Sequence, residues 1–178
     1  LKKKGIDFMK RLVLIRHGKA DWDKGLYEDF KRPLKPRGKM DGEIIAENVL
    51  KKEPAPDAFF ASKAARASET ALIIKNHLKL SDTILHFDLN LYTFEWHDLL
   101  TYVRSMDDSL KTVWIAGHNP ALTELVNYLS FEKKLLNLQT TGVAVLELDI
   151  SSWVEARKDC GELAAYHYPK EFKSHTND

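Results

Sequence analysis

The sequence predicts an α/β protein: a three-layer sandwich in which helices flank a mostly parallel central sheet. Three observations carry that expectation. Short apolar runs of strand type alternate along the chain with longer helix-type segments. The runs are apolar at consecutive positions, as strands covered on both faces are. The chain has 178 residues, enough for one ordinary core and short for two.

Leu1 to Phe8 carries Lys2-Lys3-Lys4 and then Gly5, and is expected to be a disordered or non-native extension. Met9-Lys10-Arg11 leads into the first apolar run and has the look of a natural start, so a single domain is expected over 9–178. Leu12 to Arg16 reads as the first strand and stops at His17-Gly18. The polar stretch with Trp22, Gly25, Tyr27, Arg32 and Pro33 reads as a loop. Pro36 to about Leu50 has a helical pattern that would bury Ile44, Ile45, Val49 and Leu50, and Pro54 and Pro56 end it. A strand from Ala58 to Ala61 runs into a helix from about Lys63 to Leu78. Thr83 to Phe87 is a candidate strand, and a helix from about Phe94 to Met106 leads to the strand Lys111 to Ala116. Gly117-His118-Asn119-Pro120 opens a helix to about Leu129, with Pro120 suited to its first turn. Val143 to Leu148 alternates and reads as an antiparallel strand; Leu163 to Tyr168 is a weaker last one.

Composition narrows the function classes. The chain is 44% hydrophobic and 30% charged, the balance of a soluble globular protein. Twenty-seven Lys and Arg against 26 Asp and Glu leave a net charge of +1, so any anion recognition must be local. No basic and aromatic interleaving suggests nucleic-acid binding. The apolar runs are no longer than segments such as Leu12-Val13-Leu14-Ile15, too short for a membrane span or a signal-peptide core. The one cysteine, Cys160, excludes an internal disulfide and a multi-cysteine metal site. The expectation is a cytoplasmic protein; its oligomeric state is not legible.

Three strand ends carry the chemistry. The first ends in Arg16-His17-Gly18, the second in Ser62 before a helix bearing Arg66, and the third in Gly117-His118-Asn119-Pro120. In open parallel sheets, ligands bind beyond the carboxyl ends of the strands, so two histidines and two arginines can converge on one pocket. Nearby helix N-termini add free N–H groups and positive potential. Two guanidiniums and two imidazoles favour a phosphate over a metal, which would want carboxylates or neutral histidines without arginines crowding it.

These residues resemble a known family. Leu14-Ile15-Arg16-His17-Gly18 is similar to the signature of the histidine phosphatase, or phosphoglycerate-mutase-like, superfamily. Ala61-Ser62 with Arg66-Ala67 and Thr70 resembles its second motif, and Gly117-His118-Asn119-Pro120 its second catalytic histidine. Within the superfamily the pattern is similar to the SixA group of phosphohistidine phosphatases. It is seen in Arg16 to Trp22, in Asp29-Phe30-Lys31-Arg32-Pro33-Leu34 with Arg37-Gly38, in Leu91 to Glu95, and in Thr141 to Leu146. The resemblance spans about residues 10–150 and implies a phosphoglycerate-mutase-like fold.

It also implies roles. His17 would be the nucleophile, forming a phosphohistidine enzyme that water hydrolyses. Arg16, Arg66 and a protonated His118 would hold the phosphoryl oxygens, and neither a metal nor another cofactor would be needed. Arg32 and Asp23 are further candidates for the pocket. His77, His86, His97 and His167 are read as surface or packing residues, and Trp22, Trp96, Trp114 and Trp153 as core or rim.

Relatives that cleave alkyl phosphates carry a general acid between the second arginine and the second histidine. Here the candidates are Asp88, Glu95 and Asp98, none in a matching motif. An alkoxide leaving group needs such a donor, worth about 10²–10⁴-fold. Imidazole, with a conjugate-acid pKa of about 6.5, does not. The expected function is therefore removal of phosphate from phosphohistidine in a signalling protein. The alternatives are a small-molecule phosphomonoesterase of the same superfamily, with one of those carboxylates as its acid, and a non-catalytic phosphate-binding module.

Overall fold

A computed structural model describes residues 10–22, 25, 27–132 and 134–173. The expected extension at 1–8 and the candidate Asp23 lie outside the described residues. The strands are β1 (Lys10–Arg16), β2 (Ala58–Ser62), β3 (Leu85–Asp88), β4 (Thr112–Gly117), β5 (Val143–Leu148) and β6 (Gly161–His167). The helices are α1 (Pro36–Asn48), α2 (Ala65–His77), α3 (Trp96–Arg104) and α4 (Ala121–Leu129).

The strands form one sheet in the order β3-β2-β4-β1-β5-β6. Pairings within β3-β2-β4-β1 are parallel; β5 runs antiparallel to β1 and β6 antiparallel to β5. β1 is central, which is why its apolar run is continuous. Side chains alternate between faces, so Leu12 and Leu14 join one core and Val13 and Ile15 the other. The first core packs against α3 and α4 through Leu99, Leu100, Val103, Leu122, Leu125, Val126 and Leu129. The second packs against α1 and α2 through Ile45, Ala46, Ala71 and Ile74. The result is the expected three-layer, mostly parallel sandwich.

Differences from the sequence reading sit at element ends. Val49 and Leu50 are buried as expected, but they lie past the end of α1, with Leu50 in a 3-10 turn; Ile44 is only half-buried. Pro120 caps α4 rather than entering its first turn, and the Asn119–Pro120 peptide is cis. The stretch after β5 holds Trp153, fully buried in a short 3-10 turn with its indole N–H on the Leu110 carbonyl (2.9 Å). No helix among the described residues is long and apolar enough to cross a membrane.

Sheet register positions the chemistry. Ile15 pairs with Ala116, and Ala116 with Ala61. The next residues along, Arg16, Gly117 and Ser62, therefore end three neighbouring strands on one level, with His17 and His118 one residue beyond.

Candidate active site

The backbone around His17 is held from several sides. Its N–H donates to the Gly117 carbonyl (3.1 Å), and its own carbonyl accepts from the Thr141 N–H (3.2 Å). The Gly18 N–H donates to the Thr70 hydroxyl (2.9 Å), which donates in turn to the Arg66 carbonyl (2.7 Å). A Cβ on Gly18 would come within 2.9 Å of the Gly38 carbonyl oxygen, so this loop can pass the start of α1 only as glycine.

Two bonds set the His17 ring. A carbonyl only accepts, so Nδ1–H donates to the Gly18 oxygen (2.8 Å). Nε2 accepts from Arg66 Nε–H (3.2 Å) and so carries the lone pair. Burial holds the ring's pKa down to about 3; the Gly18 bond opposes this, while the Arg66, Arg16 and Arg32 charges push the same way. At neutral pH His17 is a neutral imidazole with a lone pair on Nε2.

Around it stand the other residues that the sequence singled out. Arg66 is 1% exposed; besides His17 it donates to the Asp29 carbonyl (2.7 Å) and carboxylate (3.1 Å). Arg16 donates from Nη1 to the Leu138 carbonyl (2.9 Å), while its buried Nε has no partner among the described residues. The His118 ring lies 5.2 Å from that of His17, with the Tyr92 and Phe94 rings at 5.4 and 5.5 Å. His118 Nε2 meets the Ser62 hydroxyl at 2.8 Å, and its buried Nδ1 has no partner among the described residues. Arg32 lies behind this group, bonded to the Asp29 carboxylate (3.0 Å) and the Asp21 carbonyl (2.9 Å) and stacked 4.0 Å over Trp22.

His118 corrects one expectation. Burial, reinforced by His17, Arg66 and Arg32 and opposed by Asp29, holds it at about 3. The residue foreseen as an imidazolium is a neutral imidazole here.

The carboxylate at the site was missed by sequence reasoning. Asp29 accepts from Arg66, Arg32 and the Tyr92 hydroxyl. Partial burial works to raise its pKa, but the Tyr92 hydroxyl and the two guanidiniums outweigh it and bring it to about 2. The available signal was the Asp29/Arg32 spacing of three residues inside a motif of which only Arg32 was singled out. The acid candidates lie elsewhere: Asp88 accepts from Asn90 N–H and Tyr102, Asp98 accepts from Thr93, and Glu95 is exposed at the cap of α3. Among the described residues, the side-chain hydrogen bonds of His17, His118, Arg16 and Arg66 go to other groups than these three. Of the other histidines, His77 and His167 pair with Glu47 and Glu171, and His86 and His97 lie against Phe60 and Trp96. No group of three or more His, Cys, Asp or Glu among the described residues could hold a metal ion.

Comparisons with known proteins bear on the fold and on the first half of the chain. Residues 12–97 match the model of the histidine phosphatase superfamily (branch 1). The chain is 26% identical over 155 residues to an uncharacterized chloroplastic protein of Arabidopsis thaliana, covering 83% of this chain and 70% of that protein. The structure of the protein histidine phosphatase SixA complexed with tungstate has a TM-score of 0.77 at 19% identity, covering 92% of this chain and 99% of that one. A mutant phosphoserine phosphatase from Entamoeba histolytica in complex with phosphoserine has a TM-score of 0.60 at 15% identity, covering 93% and 100%. The two structural likenesses show the fold, and the matched segment carries Arg16, His17 and Arg66 in the places described above. Over residues 12–97 the chain is similar to the histidine phosphatase superfamily (branch 1).

Proposed function

We propose that this chain is a metal-independent phosphatase that carries the phosphoryl group on His17 Nε2, and that its substrate is phosphohistidine in a protein. The observation that carries the reading is the His17 ring: neutral, its Nδ1–H tied to Gly18, its Nε2 lone pair turned to the guanidinium of Arg66. The lone pair attacks phosphorus as the bond to the leaving group breaks. That bond's electron pair departs with the leaving group. Water then attacks phosphorus, the new O–P bond forms as the Nε2–P bond breaks, that bond's electron pair returns to Nε2, and the water's proton passes to solvent. Arg66 and the free Nε–H of Arg16 oppose the charge on the equatorial oxygens, work that a metal ion does in other phosphoryl-transfer sites. The incoming phosphoryl group takes the place of the Asp29 carboxylate on Arg66.

Leaving-group chemistry selects the substrate. The carboxylate bonded to the site is held ionised, so it has no proton to give an alkoxide. Imidazole leaves without one, taking its proton from solvent. The rim also suits a protein side chain, with Trp22 64% and Phe94 40% exposed beside the pocket.

Asp29 also supports a second reading. If the phosphate dianion drives a proton onto this carboxyl, the site becomes an ester phosphatase with Asp29 as its acid. Wild type and Asp29→Asn should be assayed on a phosphohistidine peptide, an alkyl phosphate and nitrophenyl phosphate, with and without EDTA. The proposal expects the peptide to be preferred, its turnover in the variant to stay within a few-fold, and chelation to change nothing. A wild type that prefers the alkyl ester, with a loss of about 10²–10⁴-fold on it in Asp29→Asn, makes Asp29 the acid and rejects phosphohistidine. Activity lost to EDTA and restored by a divalent ion rejects the metal-free scheme.

A further inference from the structure

A neutral His118 carries one proton, and either ring nitrogen can hold it. Ser62, the last residue of β2 and fully buried, decides which. A serine hydroxyl has one hydrogen to give and two lone pairs to receive with. The Ser62 oxygen receives the Ala64 N–H (3.2 Å) as the chain turns into α2, and its remaining contact is His118 Nε2 at 2.8 Å.

Two polarities are possible for that contact. If Nε2–H donated to Ser62, the serine hydrogen would be left buried without an acceptor among the described residues, a cost of about 1–3 kcal/mol. Nδ1, buried and without a partner among the described residues, would then keep a lone pair that meets no donor and repels an anion. If Ser62 donates, its hydrogen is satisfied, and the one hydrogen left without an acceptor among the described residues is the ring's own, which a phosphoryl oxygen can receive. Nε2 receives the serine hydrogen, and the ring's own proton sits on Nδ1, the buried nitrogen with no protein partner.

We infer that Ser62 is a positioning residue that locks His118 as its Nδ1–H tautomer, so that a neutral ring donates a hydrogen bond to the transferring phosphoryl group. The inference rests on the phosphatase reading for its functional half and on hydrogen-bond geometry alone for the tautomer. It removes the need for an imidazolium among two guanidiniums and a second imidazole. His17 and His118 are thereby made complementary. Each ring is neutral and each has its far nitrogen tied down, His17 by Gly18 and His118 by Ser62. One presents a lone pair to phosphorus, and the other presents a hydrogen to oxygen.

The test is nitrogen NMR on the full chain with labelled histidine at pH 7, with His118 assigned by its loss in His118→Asn. Wild type, Ser62→Ala and Ser62→Thr are compared, and phosphohistidine-peptide kinetics are run on the same samples. Wild type should show His118 protonated on Nδ1 and bare on Nε2. Ser62→Ala should show Nε2 protonated in a substantial fraction, with kcat down about ten- to a hundredfold and KM within a few-fold, as losses of tautomer-setting partners go. Ser62→Thr, which keeps the hydroxyl, should restore both. A wild-type His118 protonated on Nε2, or on both nitrogens, overturns the inference even if Ser62→Ala fails to fold. So does an unchanged tautomer in a folded Ser62→Ala. The expected tautomers in a protein that hydrolyses no phosphoryl compound would leave the Ser62 lock standing and reject the phosphatase reading instead.

Discussion

The two halves of the sheet divide the labour. The parallel half, β3-β2-β4-β1, delivers the side chains: Arg16 and His17 after β1, Ser62 at the end of β2 with Arg66 beyond it, and His118 after β4. The antiparallel half, β5-β6, meets the site mainly through the backbone leading into β5, with the Tyr166 side chain of β6 acting electrostatically on Arg16. The Gly142 carbonyl accepts from Arg16 N–H (3.0 Å), and the Thr141 N–H donates to the His17 carbonyl (3.2 Å). The difference follows from strand direction. Parallel neighbours all end on one side of the sheet, so their following residues gather there; an antiparallel neighbour begins where they end. Chemistry is therefore concentrated where the strands agree in direction, and the other half holds it in place.

This division can be broken at graded positions. The largest effect is expected at His17: His17→Asn should lower turnover by about 10⁴-fold or more, because it removes the atom that bonds phosphorus, while thermal melting stays near wild type. Next comes Arg66→Lys. A single ammonium cannot hold two phosphoryl oxygens in the fork geometry of a guanidinium, so kcat should fall about 10²–10³-fold. In the antiparallel half, Leu146→Ala opens a cavity in a core where Leu146 is fully buried. It should cost about 2–5 kcal/mol of stability in denaturant titration and leave kcat of the folded protein unchanged. A drop in kcat there comparable to that of Arg66→Lys would erase the distinction between the halves.

The remaining effect is in pH. His17 and His118 are held at about 3 in the fold, against about 6.5 in an unfolded chain. The unfolded state thus binds protons first as pH falls. The stability these rings contribute is present above pH 6.5 and is lost as pH falls toward 3. The slope is on the order of 1 kcal/mol per pH unit for each ring. Chemical denaturation between pH 6.5 and 4.5 should show it, and His118→Asn should flatten it. A slope unaltered in that variant would mean that His118 titrates normally.

What could be read from residues alone follows the same line. Leu12 to Ile15 had to be a central strand because nothing polar interrupts it, and the strand-end residues Arg16, His17 and His118 are placed by register. Arg66, in the first turn of α2, is carried by the same logic. Asp29 escaped notice because its place depends on a loop folding back across α2, which no periodicity records; its partners Arg66 and Tyr92 lie 37 and 63 residues away in the chain. The protonation of His118 was misjudged for a related reason. An imidazolium beside a phosphate is sound chemistry in isolation, but burial among Arg66, Arg32 and His17 is a tertiary fact. The region after β5 is equally opaque: Trp153, Ile150 and Ala156 anchor it in the core, and no repeat pattern announces that.

The central claim is that phosphate resides on His17 Nε2 during turnover. The direct measurement is to quench the wild-type protein during turnover of a labelled phosphohistidine substrate in alkali, which preserves phosphohistidine, and to map the labelled residue by mass spectrometry and phosphorus NMR. The account predicts a single label on His17, bonded through Nε2 and absent from His17→Asn. A label on His118 or on any other residue, or steady hydrolysis by the His17→Asn variant without a phosphorylated enzyme, would contradict it.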